Sequence, residues 1–191
     1  MVYSSELVKE ESDNLKDLVS ESAIKFALDA TAFYQGFHLR SNSACITTGL
    51  VFEEISHIQE KFSVLESLIS SKRIIILEPS DKILKMIKSV TIQVGETRLS
   101  DADISIIALA KEFNATLVTD DFAICNLAKT LSIELLNLGT KGIKNTRKWI
   151  KFCKGCGKAY PPTQTVCSLC GNKLRIRFKK LVSSKTIEDQ K

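Results

Sequence analysis

The sequence predicts an α/β domain with a mostly parallel central sheet flanked by helices, followed by a small ribbon built around four cysteines. Through the first 140 residues, short apolar runs alternate with segments of helical periodicity, the pattern of parallel strands joined by helices. The remainder contains two C-x2-C pairs and many basic residues. We therefore expect an N-terminal helical extension over 1–22, an α/β domain over 23–140, and a basic linker, four-cysteine ribbon and tail over 141–191.

Each element is predicted from its local pattern. A thin apolar face over residues 4–21 predicts an N-terminal helix. Strands are predicted for the apolar runs AIKFALDA (23–30), SACITT (43–48), RIIILEP (73–79) and ATLVT (115–119), with SIELLNL (132–138) as a candidate fifth. Helical spacing predicts helices over 49–70, 80–92, 99–114 and 121–131. Ser100 is the expected N-cap of the third of these, and 139–148, with two glycines, is expected to be a linker.

The charge is divided unevenly along the chain. The net charge is +5, but residues 1–140 contain 13 Lys and Arg against 20 Asp and Glu, whereas 141–180 contain 12 Lys and Arg and no acid. An acidic body with a basic end predicts a polyanionic partner, and a solvated linker is the alternative. No apolar run approaches the roughly 18 residues of a membrane span, and the polar N-terminus is unlike a secretory signal. We therefore expect a cytoplasmic protein without membrane contact.

Four of the six cysteines form a predicted metal site. They are arranged as two C-x2-C pairs, Cys153 with Cys156 and Cys167 with Cys170. Such spacing lets both sulfurs of a pair face one ion, and an all-sulfur tetrahedral site is typical of structural Zn²⁺. Disulfides, or iron in the same geometry, are the alternatives. A closed four-cysteine site has no open position, so we expect the zinc to fold the ribbon and to do no chemistry.

The basic segment around the cysteines combines cations with aromatic rings. Trp149, Phe152, Tyr160 and Phe178 lie among Lys and Arg residues. Rings that stack on bases beside cations that bind phosphates are typical of RNA-binding surfaces, and a small ribbon core is the alternative role for the rings. The predicted RNA-binding residues are Arg147, Lys148, Trp149, Lys151, Lys154, Lys158, Lys173, Arg175 and Arg177.

Several carboxylates are predicted to meet at one edge of the sheet. Asp29 follows the first strand, and Asp120 and Asp121 follow the fourth. Glu54 and Asp103 lie in the first turns of helices expected to start near the same edge, where ligands bind in parallel sheets. Clustered carboxylates repel one another unless a cation is present, and their oxygens suit Mg²⁺ or Mn²⁺, which can assist phosphodiester hydrolysis. Each residue has a simpler alternative role as a helix cap or a solvated charge.

The segments around these carboxylates resemble the motifs of the PIN-domain family. The matching segments are ALDATAF with Asp29, TTGLVFEEI with Glu54, LSDADISIIALA with Asp103, and LVTDDF with Asp121. Followed by a four-cysteine ribbon, they are similar to the PIN-plus-zinc-ribbon nucleases that mature the 3′ end of small-subunit rRNA, the Nob-one family of archaea and eukaryotes. The acidic N-terminal helix departs from that pattern, in which the first strand lies near the start.

The resemblance implies a metal-dependent endoribonuclease that acts on precursor small-subunit rRNA within a pre-small-subunit particle, with other assembly factors as further partners. It implies that Mn²⁺ or Mg²⁺ is held by Asp29, Glu54, Asp103 and Asp121, with support from Thr31, Thr119 and Asp120. One alternative is a toxin-type PIN ribonuclease cutting tRNA or mRNA, which usually lacks a ribbon. Another is a non-cleaving RNA-binding assembly factor, and a zinc-ribbon DNA-binding module is a third that leaves the α/β body unexplained.

Overall fold

The computed structural model describes residues 24–55, 62–96, 98–139 and 146–181. The predicted N-terminal helix therefore lies outside the described residues, as do 56–61 of the predicted helix over 49–70 and most of the predicted linker. Within the described part of the chain, none of the helices has both the length and the apolar character needed to span a membrane.

The central sheet has five strands and is entirely parallel in the described residues, which confirms the predicted α/β class. Its strands are β1 Ile24–Leu28, β2 Ala44–Thr47, β3 Ile74–Ile76, β4 Thr116–Val118 and β5 Leu135–Leu136. They are arranged in the order β3-β2-β1-β4-β5, with every neighbouring pair parallel. Both β1 and β4 therefore lie at the centre, so the residues that follow them leave the sheet side by side.

Seven helices accompany this sheet in the described residues. They are α1 Ala30–Tyr34, α2 Phe37–Arg40, α3 Gly49–Ile55, α4 Phe62–Ser70, α5 Asp81–Val94, α6 Asp101–Glu112 and α7 Phe122–Thr130. The described parts of the predicted helix over 49–70 are α3 and α4, and both are helical. The short helices α1 and α2 were missed, because four or five residues are too few to show helical periodicity.

Helix α6 is the most deeply buried helix of the domain. Eight of its 12 residues are buried, so apolar side chains surround most of its circumference instead of forming one stripe. The helix packs against β1 and β4 on one side and contacts α3, α5 and α7 on others. Ile106, Ile107 and Leu109 are fully buried there. The core thus holds α6, and with it Asp103, in a fixed place relative to the sheet.

The C-terminal part of the described chain is a small antiparallel sheet with the order β7-β6-β8. Its strands are β6 Thr146–Phe152, β7 Ala159–Tyr160 and β8 Arg175–Leu181. Gly157 and Gly171 have φ values of 71° and 68°, a left-handed conformation that glycine adopts without strain, and each closes the turn after a C-x2-C pair. Because β6 begins at Thr146, the last three residues of the predicted linker belong to a strand.

The buried position of α6 makes a test of the core straightforward. We expect Leu109→Ala to lower the free energy of unfolding by about 2–5 kcal/mol, because a fully buried leucine leaves a cavity when truncated. Chemical denaturation followed by circular dichroism measures this change. Met86→Ala on α5, where the side chain is 38% exposed, serves as the control and should change stability by much less. Equal losses in the two variants would contradict the assignment of α6 to the core.

Candidate active site and metal centre

Asp29 is the buried carboxylate at the centre of the candidate active site. It directly follows β1 and is 3% exposed. Its Oδ2 accepts hydrogen bonds from Thr119 Oγ1 at 2.8 Å and from Thr31 Oγ1 at 2.9 Å. Thr119 follows β4 and is itself fully buried. Asp29 is therefore positioned by β1, and its orientation is fixed by Thr119 at the end of the neighbouring strand β4.

Asp121 is joined to Asp29 through the same threonine. Its backbone N–H donates to Thr119 Oγ1 at 3.0 Å, so one hydroxyl bridges the two aspartates. Asp121 Oδ1 accepts from the backbone N–H groups of Ala123 at 2.6 Å and Ile124 at 3.1 Å, which makes it the N-cap of α7. The capping role considered from the sequence is therefore real. It holds the exposed side chain in one place at the edge of the sheet.

Asp103 also has a capping role that coexists with its place at the edge. Ser100 Oγ accepts from the Asp103 backbone N–H at 3.1 Å, and Asp103 Oδ2 accepts from the Ser100 backbone N–H at 2.7 Å, which completes a capping box at the start of α6. Burial raises the pKa of Asp103, the hydrogen bonds from Ser100 lower it, and the negative charges of Asp29 and Asp121 raise it further.

Glu54 completes the group from helix α3. Its side chain is exposed, yet partial desolvation raises its pKa, and the charges of Asp103 and Asp29 add to the increase. The four predicted carboxylates thus share one electrostatic neighbourhood, because Asp103 interacts with each of the other three and Glu54 also interacts with Asp29. Four elements distant in sequence, namely β1, α3, α6 and α7, bring them to the same edge.

The donor set at this edge fits a hard divalent cation. Carboxylate oxygens beside threonine hydroxyls are the ligands and neighbours that Mg²⁺ and Mn²⁺ favour. Burial, with a further contribution from the neighbouring negative charges, raises the pKa values of Glu54 and Asp103. Among the described residues, the only group of three or more potential ligands whose atoms all lie within 4.8 Å of one another is formed by the four cysteines. The carboxylates are thus more widely spaced than the sulfurs, which is compatible with a partly hydrated ion.

Asp120 has a different task from its neighbour Asp121. Its Oδ1 accepts from the Leu138 backbone N–H at 3.0 Å, and its Oδ2 accepts from the Gly139 backbone N–H at 3.1 Å and from the Gln35 side-chain amide. The Asp120 backbone N–H donates to Thr31 Oγ1 at 3.1 Å. Asp120 therefore ties the end of β4 to α1 and to the segment after β5.

Other polar residues at the site were missed by the sequence analysis. Asn137 donates to the carbonyl of Thr119 at 2.8 Å and thereby holds the backbone that carries the bridging hydroxyl. The buried hydroxyls of Thr48 and Ser105 lie 2.7 Å apart and connect the start of α3 to α6. Gln35 binds Asp120 as described above. The predicted fifth strand, 132–138, includes Asn137, and only the shorter observed strand β5 places this residue directly after a strand, beside the other polar residues of the edge.

The four cysteine sulfurs converge as predicted. The Sγ atoms of Cys153 and Cys170 are 3.3 Å apart, those of Cys167 and Cys170 3.4 Å, and those of Cys156 and Cys167 3.6 Å. A tetrahedron of Zn–S bonds of about 2.3 Å requires sulfurs roughly 3.8 Å apart, close to these values. The Tyr160 hydroxyl lies 3.0 Å from Cys167 Sγ and lowers the pKa of that thiol to about 6, which favours the thiolate that a metal binds.

The ribbon sheet divides the predicted RNA-binding residues between two faces. Opposite residues of an antiparallel pair share a face, and Ile150 pairs with Arg177 while Trp149 pairs with Phe178. On the first face, the Arg177 guanidinium lies 5.0 Å from the centre of the Phe152 ring. Exposed side chains of this face are those of Lys148, Arg175 and Arg177. The second face includes Trp149, which is half-buried against the nuclease domain.

The remaining candidates are placed as follows. Lys154, Lys158 and Lys173 are exposed in the ribbon outside its three strands, and Lys151 is half-buried on the second face. Tyr160 is buried with the cysteines, so for this ring the alternative role in the ribbon core is the one found. The Arg147 side chain lies outside the described residues.

Comparison with known proteins agrees with this arrangement. The family model described as the PIN domain of ribonuclease matches residues 26–113. The chain is 33% identical to the endoribonuclease Nob1 of Pyrococcus abyssi over 156 residues, which cover 80% of this chain and 93% of that protein. It is 32% identical to the endoribonuclease Nob1 of Methanocaldococcus jannaschii over 167 residues, covering 86% and 81% respectively.

A shorter match separates the two nuclease alternatives. The ribonuclease VapC1 of Thermoplasma acidophilum is 34% identical over 106 residues, only 55% of each chain. The two matches to Nob1 proteins extend over most of both partners and therefore confirm the narrower resemblance stated from the motifs. From its sheet, its edge of carboxylates, its four converging cysteines and these relatives, the chain belongs to the Nob1 family of archaeal PIN-domain endoribonucleases.

Proposed function

We propose that this protein is a metal-dependent endoribonuclease that cleaves precursor small-subunit rRNA at its 3′ end during ribosome biogenesis in the cytoplasm. Its partners are the pre-small-subunit particle and other assembly factors bound there. The observation that carries the proposal is the meeting of Asp29, Glu54, Asp103 and Asp121 at one sheet edge in a member of the Nob1 family.

In this proposal, the four carboxylates hold Mn²⁺ or Mg²⁺. When bound, the divalent cation supplies stabilisation of the phosphate charge and a lowered pKa for the attacking water. Asp29 is kept in the required orientation by the hydroxyls of Thr31 and Thr119. Capping interactions restrain Asp103 and Asp121, so the carboxylates do not have to be ordered when RNA arrives. The exposed carboxylates of Glu54 and Asp121 face the solvent side, from which RNA approaches.

The ribbon serves as the RNA-binding platform in this proposal, with Zn²⁺ holding its four cysteines. Its exposed cations on the first face, Lys148, Arg175 and Arg177, offer contacts to phosphates. The ring of Phe152 lies on the same face beneath Arg177, so a stacking group and a cation are adjacent. The second face is less available, because Trp149 is directed toward the nuclease domain.

The catalytic assignment is tested by removing one charge. We expect Asp29→Asn to abolish Mn²⁺-dependent cleavage of an RNA spanning the rRNA 3′ end, because the central cation ligand is lost, while RNA binding stays within about twofold. End-mapped cleavage products and a binding titration measure the two quantities. Asp101→Asn, two residues from Asp103 but 78% exposed and paired with Lys88, is the matched control and should cleave normally. Normal cleavage by Asp29→Asn would contradict the catalytic assignment of this carboxylate, whereas no Mn²⁺-dependent cleavage by the unmodified protein would favour the non-cleaving assembly factor.

The raised pKa values of Glu54 and Asp103 generate a prediction about pH. A carboxyl whose pKa is raised on folding destabilises the metal-free protein as pH rises through that folded pKa, and only the deprotonated form binds a cation. Stabilisation by Mn²⁺ should therefore be larger at about pH 7 than at about pH 5. At roughly 100-fold excess over Kd, binding contributes about 2.7 kcal/mol, a shift of several degrees in Tm. Thermal unfolding with and without Mn²⁺ measures this, and equal shifts at both pH values would argue against carboxylate ligation.

The RNA platform is tested through salt dependence. We expect the double variant Lys148→Gln with Arg177→Gln to bind single-stranded RNA more weakly and to reduce the slope of log K against log salt by about 1.4, since each lost phosphate contact contributes about 0.7. Binding titrations at several salt concentrations give the slope. Lys82→Gln with Lys85→Gln, exposed on α5, removes the same charge elsewhere and should leave the slope nearly unchanged. An unchanged slope in the first variant would show that this face does not bind RNA.

A further inference from the structure

We propose that a hydrogen bond between Trp149 of the ribbon and Glu96 of the nuclease domain locks the orientation of the ribbon and thereby selects which phosphodiester reaches the carboxylates. The inference rests on the proposed function, because it concerns the choice of the cut position in an RNA held by the ribbon. Both residues are positioning residues, since they act through the placement of the ribbon and the RNA, not on the reacting atoms.

We call this contact between Trp149 and Glu96 the lock, and it is centred on a buried carboxylate. Glu96 follows α5 and is only 2% exposed, although an acidic residue in a turn ordinarily remains in water. Its Oε2 accepts a hydrogen bond from Trp149 Nε1 at 2.9 Å, and its Oε1 accepts one from Arg98 Nε at 3.3 Å. The Arg98 guanidinium also lies 5.8 Å from the centre of the Trp149 ring. A buried charge is tolerated when it is paired and hydrogen-bonded, and one of the donors here comes from the ribbon.

A steric fit at the neighbouring residue supports the same contact. Gly95 has a φ of 75°, and a Cβ atom at this position would lie 2.7 Å from the Pro162 side chain and 2.9 Å from the Trp149 carbonyl oxygen. The ribbon therefore approaches the backbone of the nuclease domain so closely that only glycine fits. Polar pairing at Glu96 and close packing at Gly95 act on adjacent residues. Together they favour a single orientation of the ribbon relative to the nuclease domain.

The lock lies next to the elements that carry the active-site carboxylates. The turn at Glu96 leads within four residues to Ser100, the N-cap of α6, and Asp103 follows in the first turn of that helix. Strand β6 also packs against α7, whose N-cap is Asp121. The ribbon thus contacts elements beside two of the four carboxylates. An RNA bound to the ribbon therefore has a fixed position relative to the four carboxylates, and breaking the lock makes that position variable.

The first experiment measures the contact between Trp149 and Glu96 in the protein without RNA. Trp149 is the only tryptophan in the chain, so intrinsic fluorescence reports its surroundings directly. In Glu96→Ala we expect a red-shifted emission and at least twofold greater quenching by acrylamide, with one zinc per chain showing that the ribbon is still folded. Glu66→Ala, which removes an exposed carboxylate from α4, should match the unmodified protein. Unchanged quenching in Glu96→Ala would overturn the lock whether or not the protein is a nuclease.

The second experiment examines the cut position by end-mapping on an RNA spanning the rRNA 3′ end. We expect Glu96→Ala to spread cleavage over neighbouring phosphodiesters, while the rate on a short unstructured RNA stays within about twofold. Trp149→Phe keeps an aromatic ring, removes the N–H donor, and should spread the cuts in the same way. A single unchanged cut in both variants would overturn the inference even if quenching rises. Failure of the proposed function is distinguished from this, because it appears as an absence of Mn²⁺-dependent cleavage by the unmodified protein.

Discussion

The desolvation of several carboxylates near one another at one edge of the sheet is the constraint on which the rest of this structure depends. Desolvation raises the pKa values of Glu54 and Asp103, and the nearby negative charges, including that of Asp29, raise them further, so the metal-free arrangement is unfavourable for the ionised groups. The surroundings keep the group in place: Thr119 bridges two aspartates, and the caps of two helices hold Asp103 and Asp121. A group of carboxylates with raised pKa values, held in place by hydrogen bonds, is typical of a functional site that binds a cation.

The same side chains serve structure and chemistry at once. Asp121 is the N-cap of α7, and Asp103 completes a capping box, so the simple alternatives considered for them are correct without excluding a place at the edge. The side chain of a capping residue has a fixed orientation, because it accepts hydrogen bonds from backbone N–H groups. A side chain that binds a metal ion also requires a fixed orientation. The capping interactions therefore already orient the Asp103 and Asp121 carboxylates at the edge of the sheet. Asp120, whose oxygens are occupied by backbone and amide donors, shows the contrasting case of support alone.

The parts of the fold that could be predicted are those with local signals. Apolar runs and helical spacing identified all five strands of the nuclease domain and its longer helices, and the C-x2-C spacing identified the cysteine cluster. The burial of Glu96 could not be predicted, since GETRLS reads as an ordinary polar turn and its partner Trp149 lies 53 residues away. Gln35 was missed for the same reason, because its partner Asp120 is 85 residues distant. Contacts between remote residues leave no periodic trace in a single sequence.

The anchoring of Gly139 by Asp120 also sets the length of a tether. The chain leaves the nuclease domain at Gly139, directly beside the active-site edge, and the ribbon begins at Thr146. Even a fully extended chain covers about 25 Å over these seven steps, since each residue spans at most roughly 3.6 Å. If the contact at Glu96 opens, the ribbon therefore remains within about one domain diameter of the carboxylates. The ribbon then stays at a high local concentration near the edge, and its return to the contact at Glu96 is an intramolecular event.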